Sequence, residues 1–244
     1  MSQLAPLNAE RHGKLKLRDR QDYQAYAGQH LVPVVFQEFY GLATEFPLVF
    51  VRNSEAGDFV PVAMMGLKQG INLYCQTSDW RAGFIPVGFT VGPLLVTRLE
   101  SESEPAEISL NEDSELLDES LGEPLFTDSG EQTEFLQKRI EKVMNVTRQT
   151  LQARALCKFL ADQNLLKQRQ IRLQYSPDSP RYEVEGVYII DEEKLESLSD
   201  QEFLTLRQRG LIPLIYAHLT SLQQFGRLSR LQAEADKAAI AQTA

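Results

Sequence analysis

The run from Gln29 to Leu67 constrains the fold of this chain more than any other stretch. It reads Q-H-L-V-P-V-V-F-Q-E-F-Y-G-L-A-T-E-F-P-L-V-F-V, then a turn, then F-V-P-V-A-M-M-G-L. Val34, Val35, Glu38, Phe39, Leu42 and Ala43 recur at helical spacing, and Pro33 suits the first turn of a helix, where a missing N–H costs nothing. Phe46-Pro47 stops that helix. Leu48–Arg52 then reads as a buried strand, residues 53–58 as a turn rich in Asn, Ser, Gly and Asp, and Phe59–Leu67 as the returning strand. The tight turn Lys68-Gln69-Gly70 leads into a third strand over Ile71–Gln76. Strands joined by such short turns can only be antiparallel, because a parallel pair needs a long crossover.

The rest of the chain is placed around this core. Residues 1–27 read as an N-terminal arm with a strand near Lys14–Leu17. Residues 28–244 read as a single domain. The segment S-D-W-R-A-G-F-I-P-V-G-F-T-V-G-P-L-L-V holds the only tryptophan among glycines and prolines that break regular ladders. A further strand is expected over Ala106–Leu110. A long helix is expected over about residues 131–165, with Leu136, Ile140, Val143, Thr147, Leu151, Ala155 and Phe159 as its apolar stripe. Lys167–Gln174 and Tyr182–Ile190 read as a late strand pair. Ser199-Asp200-Gln201-Glu202 is a capping box that opens a helix ending at Gly210, and a last helix buries Leu211, Ile215, His218, Leu222 and Phe225 before a polar tail expected to fray. The expectation is α+β: a central antiparallel sheet with an N-terminal helix, one long helix and a C-terminal helical pair.

Charge narrows the function classes. The net charge is −9, and the ten carboxylates between Glu100 and Glu123, a span without Lys or Arg, account for all of it. The remainder stands at +1, so the acidity belongs to one segment, read as a solvated loop over about residues 100–123. No clustered basic face suggests nucleic acid. No apolar run approaches the roughly 20 residues of a membrane helix. The start of the chain lacks a signal-like apolar stretch, and two lone cysteines fit a reducing compartment. A cytoplasmic location is expected, with the cell surface reached by a signal-independent route as the alternative.

Few residues suggest chemistry. His12, His30 and His218 are far apart, without H-E-x-x-H spacing, and Cys75 and Cys157 fall inside regular elements where inert thiols are usual. No metal or cofactor is expected, and phosphate-cradling or nucleophile-elbow glycine motifs are missing. Glu38 on the first helix is a candidate buried carboxylate, though such residues more often keep the head in water. His218 lies on an apolar stripe, where a hydrogen-bonded core histidine is the favoured reading. His30, just before Pro33, is read as orienting the helix start and is kept as a candidate binding residue. The best candidate surface is Trp80 and Arg81 with Phe84, Pro86 and Phe89, since tryptophan and arginine dominate interface hot spots. The plainer reading, favoured here, has Trp80 plugging the core under an irregular loop with Arg81 in solvent.

Several blocks in one order also carry a resemblance. H-L-V-P-V-V-F-Q-E-F-Y…F-P-L-V-F-V, G-L-K-Q-G-I-N-L-Y, D-W-R-A-G-F-I-P, G-E-P-L-F-T-D-S-G and G-V-Y-I-I-D-E-E-K-L-E-S-L-S-D-Q-E-F-L-T-L-R-Q-R-G-L-I-P-L-I-Y-A-H-L-T-S-L resemble the SapC family of bacterial proteins, from about Leu7 to Arg230. This is the family named for surface layers, distinct from a transporter permease bearing the same letters. Where members often follow F-I-P with an arginine and a Pro-Phe pair, this chain has V-G-F-T-V-G-P-L. The resemblance implies a surface-layer role, and genes encoded beside halogenase-like flavoenzymes, cupin-like oxygenases and outer-membrane receptors. It supplies no catalytic residues. Three readings stand: a non-catalytic intracellular binding or accessory protein taking a protein partner or small ligand, a surface-layer-associated structural protein, and an enzyme or partner subunit of a neighbouring flavin-dependent halogenase or cupin-like oxygenase. The last requires His30, Glu38 or His218 to meet Trp80 and Arg81.

Overall fold

A computed structural model describes residues 3–20, 23–53, 57–98 and 106–243. The fold is α+β, with three antiparallel sheets, one long helix and a helical C-terminal region. By its contacts the chain forms two compact units. One comprises Met1–Gln21 with Val87–Arg148, and the other Asp22–Pro86 with Gln149–Ala244.

The second unit is built on a five-stranded sheet. The hairpin Leu48–Arg52 and Phe59–Met64 pairs Leu48 with Ala63 and Arg52 with Phe59. The late hairpin Leu166–Leu173 and Tyr182–Ile190 joins it by pairing Val187 with Val51 and Tyr188 with Phe50. Leu48, Val49 and Phe50 are buried in succession rather than alternately, so both faces of this strand are covered. Burying each such side chain stabilises the fold by about 1.5–3 kcal/mol. Helix Leu211–Ser221 packs here, and the Leu48 N–H donates to the buried Ser221 hydroxyl at 2.9 Å.

Three expectations for this unit are corrected. Leu31–Pro33 is an edge strand paired with Met64, Ala63 and Val62, not the start of a helix. Valines on both sides of Pro33 favour extended backbone, and an edge position tolerates a proline without N–H. The helix shrinks to a 3-10 turn over Phe36–Glu38 and one α-turn over Phe39–Leu42. Ile71–Gln76 is not a strand. The buried Asn72 side chain accepts from Tyr74 N–H at 3.0 Å, and such local bonds compete with a ladder. A Cβ on Gly66 would lie 1.8 Å from the Ile71 carbonyl oxygen, so only glycine permits this fold-back.

The long helix spans Glu134–Asp162, close to expectation, but its stripe drifts. Leu136 and Val143 are buried, whereas Leu151 is 48% exposed and Ala155 is exposed; Ala153, Cys157 and Leu160 are buried instead. Each step of four residues overshoots a helical turn by roughly 40°, so a run of such steps leaves the core face. The Ser199–Glu202 capping box forms around helix Asp200–Gln208, and Gly210 takes the left-handed conformation after it with φ 70°. The tail is helical through Thr243 rather than frayed.

In the first unit, Leu4–Pro6, Glu107–Asn111 and Leu94–Arg98 form one small sheet, and Leu117–Asp118, Lys16–Leu17 and Glu123–Pro124 another. They enclose Leu17, Leu94, Leu110, Leu125 and Leu136. The segment read as an arm therefore supplies two strands and a core leucine. Of the acidic segment, residues 100–105 lie outside the described residues. The part from Glu107 is ordered by pairing rather than solvated throughout: the Arg11 guanidinium grips Glu112 at 2.5 and 2.6 Å, and Arg20 meets Glu115 at 3.1 Å.

Candidate functional site

The strongest candidate is the irregular loop over residues 76–86, which lies wholly in the second unit. Gly83 and Pro86 break regular pairing in it, so side chains and isolated backbone bonds hold it. The Trp80 ring caps an aromatic cluster, with centroids 5.4 Å from Tyr23, 6.0 Å from Tyr74 and 6.3 Å from Phe46. Its Nε1–H donates to the Phe84 carbonyl at 2.9 Å, closing the loop on itself.

Two charged residues far away in sequence fix the loop backbone. Glu45 accepts the Gly83 N–H at 2.7 Å and pairs through its other oxygen with Arg227 at 2.8 Å. A Cβ at Gly83 would stand 2.7 Å from Glu45 Oε1, so this approach requires glycine. Arg227 donates to the Arg81 carbonyl at 3.2 Å, and its guanidinium stacks 5.8 Å from the Tyr74 ring centroid. The Tyr74 hydroxyl donates to the Glu45 carbonyl at 3.1 Å, and burial pushes its pKa above the ordinary phenol range. The Arg81 N–H donates to the Tyr74 carbonyl at 2.9 Å.

Two groups of this frame reach solvent. Phe84 is 47% exposed, and its ring lies so close to Gly41 that a Cβ there would come within 2.7 Å of Cε1. The Arg81 guanidinium pairs with Glu234 at 2.9 Å, both side chains half exposed. The loop is therefore a fixed ledge presenting an aromatic edge beside a solvated ion pair.

The other candidates are placed by different elements. Pro86 is buried at the end of the loop. Phe89 belongs to the first unit, buried in the turn Val87–Thr90. His30 accepts the Gly70 N–H through Nδ1 at 3.3 Å, and partial burial lowers its pKa. Glu38 accepts the Val35 N–H at 3.3 Å, capping its own turn. His218 is fully buried 5.0 Å from the Phe50 ring; its Nε2 accepts the Ile190 N–H at 3.1 Å, and burial pulls its pKa down to about 4. It is a neutral core residue at pH 7. The buried Cys157 thiol is pushed up to about 12, leaving almost no thiolate. Among the described residues no group of three or more His, Cys, Asp or Glu could hold a metal ion. No helix among them is long and apolar enough to cross a membrane.

Sequence reasoning missed Glu45, Tyr74, Arg227 and Glu234. Nothing local marks them: Glu45, Arg227 and Glu234 act on the loop through partners far along the chain, and Tyr74 through Glu45 as well as through the Arg81 N–H.

The fold and this ledge define an α+β protein with a preformed surface loop and no recognisable catalytic constellation among its described residues. The chain belongs to the SapC family, whose profile matches residues 7–228. Comparison with curated proteins and with solved structures returned no match.

Proposed function

We propose that this SapC-family protein is a non-catalytic binding or accessory protein that takes a protein partner or small ligand on the Trp80 loop, within the cell. One observation carries the reading: Phe84 is half exposed on a loop without regular structure whose backbone is nevertheless fixed by Glu45, Tyr74 and Arg227. An aromatic held in place before binding loses little freedom on association, which is what an interface anchor needs. Trp80 acts from beneath by holding the Phe84 carbonyl. The halogenase-like and cupin-like enzymes that the family resemblance implies as gene neighbours are the first partners to try.

The test is a photo-crosslinking amino acid placed at Tyr40, which is exposed beside Gly41, with the cells separated afterwards into soluble, membrane and surface pools. A discrete crosslinked species in the soluble pool, lost in Phe84→Ala and in Trp80→Ala, is expected. Native protein confined to the surface pool would replace this reading with the surface-layer one. A crosslink indifferent to both variants would remove the loop from it.

A further inference from the structure

A second surface of the same unit has a different character. The C-terminal helices Glu192–Glu196, Asp200–Gln208 and Leu211–Ser221 frame an open trough of about 590 Å³. That volume lies within the roughly 300–1,000 Å³ of ordinary ligand sites. Its floor is apolar, made by the buried Leu195 and the half-buried Leu198 and Leu219. Phe203, Leu204 and Tyr216 stand along it, 40%, 38% and 53% exposed, more apolar surface than a helical face facing water requires.

Small molecules are usually gripped by a few polar groups converging inside a pocket. Here the polar groups sit outside, at the rim. Glu192, Glu196 and Asp200 are exposed lining residues, and the side chain of none of them makes a hydrogen bond or ion pair among the described residues. The nearby Glu202 is not equivalent, because the Ser199 N–H and hydroxyl occupy it at 2.8 and 2.6 Å. Arg207 is the one lining cation, so the rim is negative by two charges. An apolar channel with a negative margin complements a helix whose apolar face carries anchors at i, i+3, i+4 and i+7 and whose flanks carry Lys or Arg.

We propose that this trough docks a cationic amphipathic helix of a partner protein. The surface is separate from the Trp80 loop and does not rest on the function assigned to that loop. Apolar contact with Phe203, Leu204 and Tyr216 supplies the affinity, while Glu192, Glu196 and Asp200 set the sign of the partner's charge and the rate of encounter.

The probe is a fluorescein-labelled helical peptide with leucines at i, i+3, i+4 and i+7 and flanking lysines, titrated with the intact chain and followed by anisotropy. A second peptide carries glutamates in place of the lysines. The lysine peptide is expected to bind, and Tyr216→Ala to weaken it roughly tenfold, the loss of one aromatic anchor. Combining Glu192→Lys, Glu196→Lys and Asp200→Lys is expected to abolish binding of the lysine peptide. Phe84→Ala should leave it unchanged, which separates this surface from the loop. Each variant is read only where its melting curve matches the parent, and all five substituted positions are exposed. Equal affinity for the glutamate peptide, insensitivity to Tyr216→Ala, or no binding overturns the proposal. A dimer that dissociates in Tyr216→Ala also overturns it and assigns the trough to a second copy of the chain.

Discussion

Glu112 and Glu115, in the stretch 107–123, are held by Arg11, His12 and Arg20, whereas Glu192, Glu196 and Asp200 have no polar partner among the described residues. Both stretches are anchored by a fully buried histidine, and the two histidines act differently. The His12 Nδ1 accepts the Asn8 N–H at 3.2 Å, which leaves Nε2, 3.0 Å from Glu112 Oε1, as the donor to that carboxylate. His218 accepts the backbone N–H of Ile190, just before Glu192, and touches no carboxylate there. One histidine fixes an acidic side chain; the other fixes only the backbone and leaves the acids available. The density of acids in a sequence therefore does not say which of them are free to meet a partner. Glu112 and Glu115 are satisfied within the protein, and Glu192, Glu196 and Asp200 are not.

The largest test of this contrast is the acid sensitivity that His218 gives its region. The unfolded chain takes up a proton on this histidine below about pH 6.5, whereas the folded chain does so only near pH 4. The unfolded state thus binds more protons between these values, and stability rises with pH across the window. The contribution is complete above the unfolded value and is lost as the pH falls toward the folded one, on the order of 3 kcal/mol in all. His218→Gln, which keeps an acceptor for the Ile190 N–H, should flatten the unfolding free energy measured by urea titration between pH 7 and pH 4.5. An undiminished slope would mean that His218 is not the group responsible.

The next effect belongs to the first stretch. Glu112→Ala removes the Arg11 fork and leaves the buried His12 donor without its acceptor. An orphaned buried donor costs about 1–3 kcal/mol, so the melting temperature should drop at neutral pH. The Arg11 hydrogen bond and charge, aided by His12, hold the Glu112 pKa below the ordinary glutamate value. Its stabilisation is therefore present above about pH 4.3 and disappears as the pH falls through the depressed native value. Parent and variant should converge in acid. A gap that persists there would show that packing, not charge, ties Glu112 down.

The smallest effect sharpens the comparison from the other side. Glu196→Lys, at an exposed position without a partner, should change the unfolding free energy by no more than about 0.5 kcal/mol while weakening the cationic peptide. A larger loss would give Glu196 a structural duty and make the two acidic stretches alike.

Much of the fold is legible in the sequence. The hairpin of Leu48–Arg52 with Phe59–Met64, the late pair Leu166–Leu173 with Tyr182–Ile190, the long helix, the Ser199 capping box and the Gly210 stop all come from signals within a few residues. The failures share a cause. Against its own neighbours Pro33 suits a helix start, but its strand exists because Val62–Met64 offers an edge. Spacing alone extends the stripe to Leu151, Ala155 and Phe159, whereas burial selects Ala153, Cys157 and Leu160. For the site, Trp80 and Arg81 stand out locally, as does the exposed Phe84. The Glu45 and Arg227 clamp does not, because Gly83 meets Glu45 only after the chain has folded back.

The sequence by itself determined where helices, strands and turns fall, because backbone preference, capping and periodicity act over about four residues. Only the tertiary structure decided which charges are spent. Arg11 and Glu112 lie 101 positions apart, and Glu45 and Arg227 on elements still more distant in the chain. The energy of such a pair depends on separation and local solvation, which exist only once the backbone path is set.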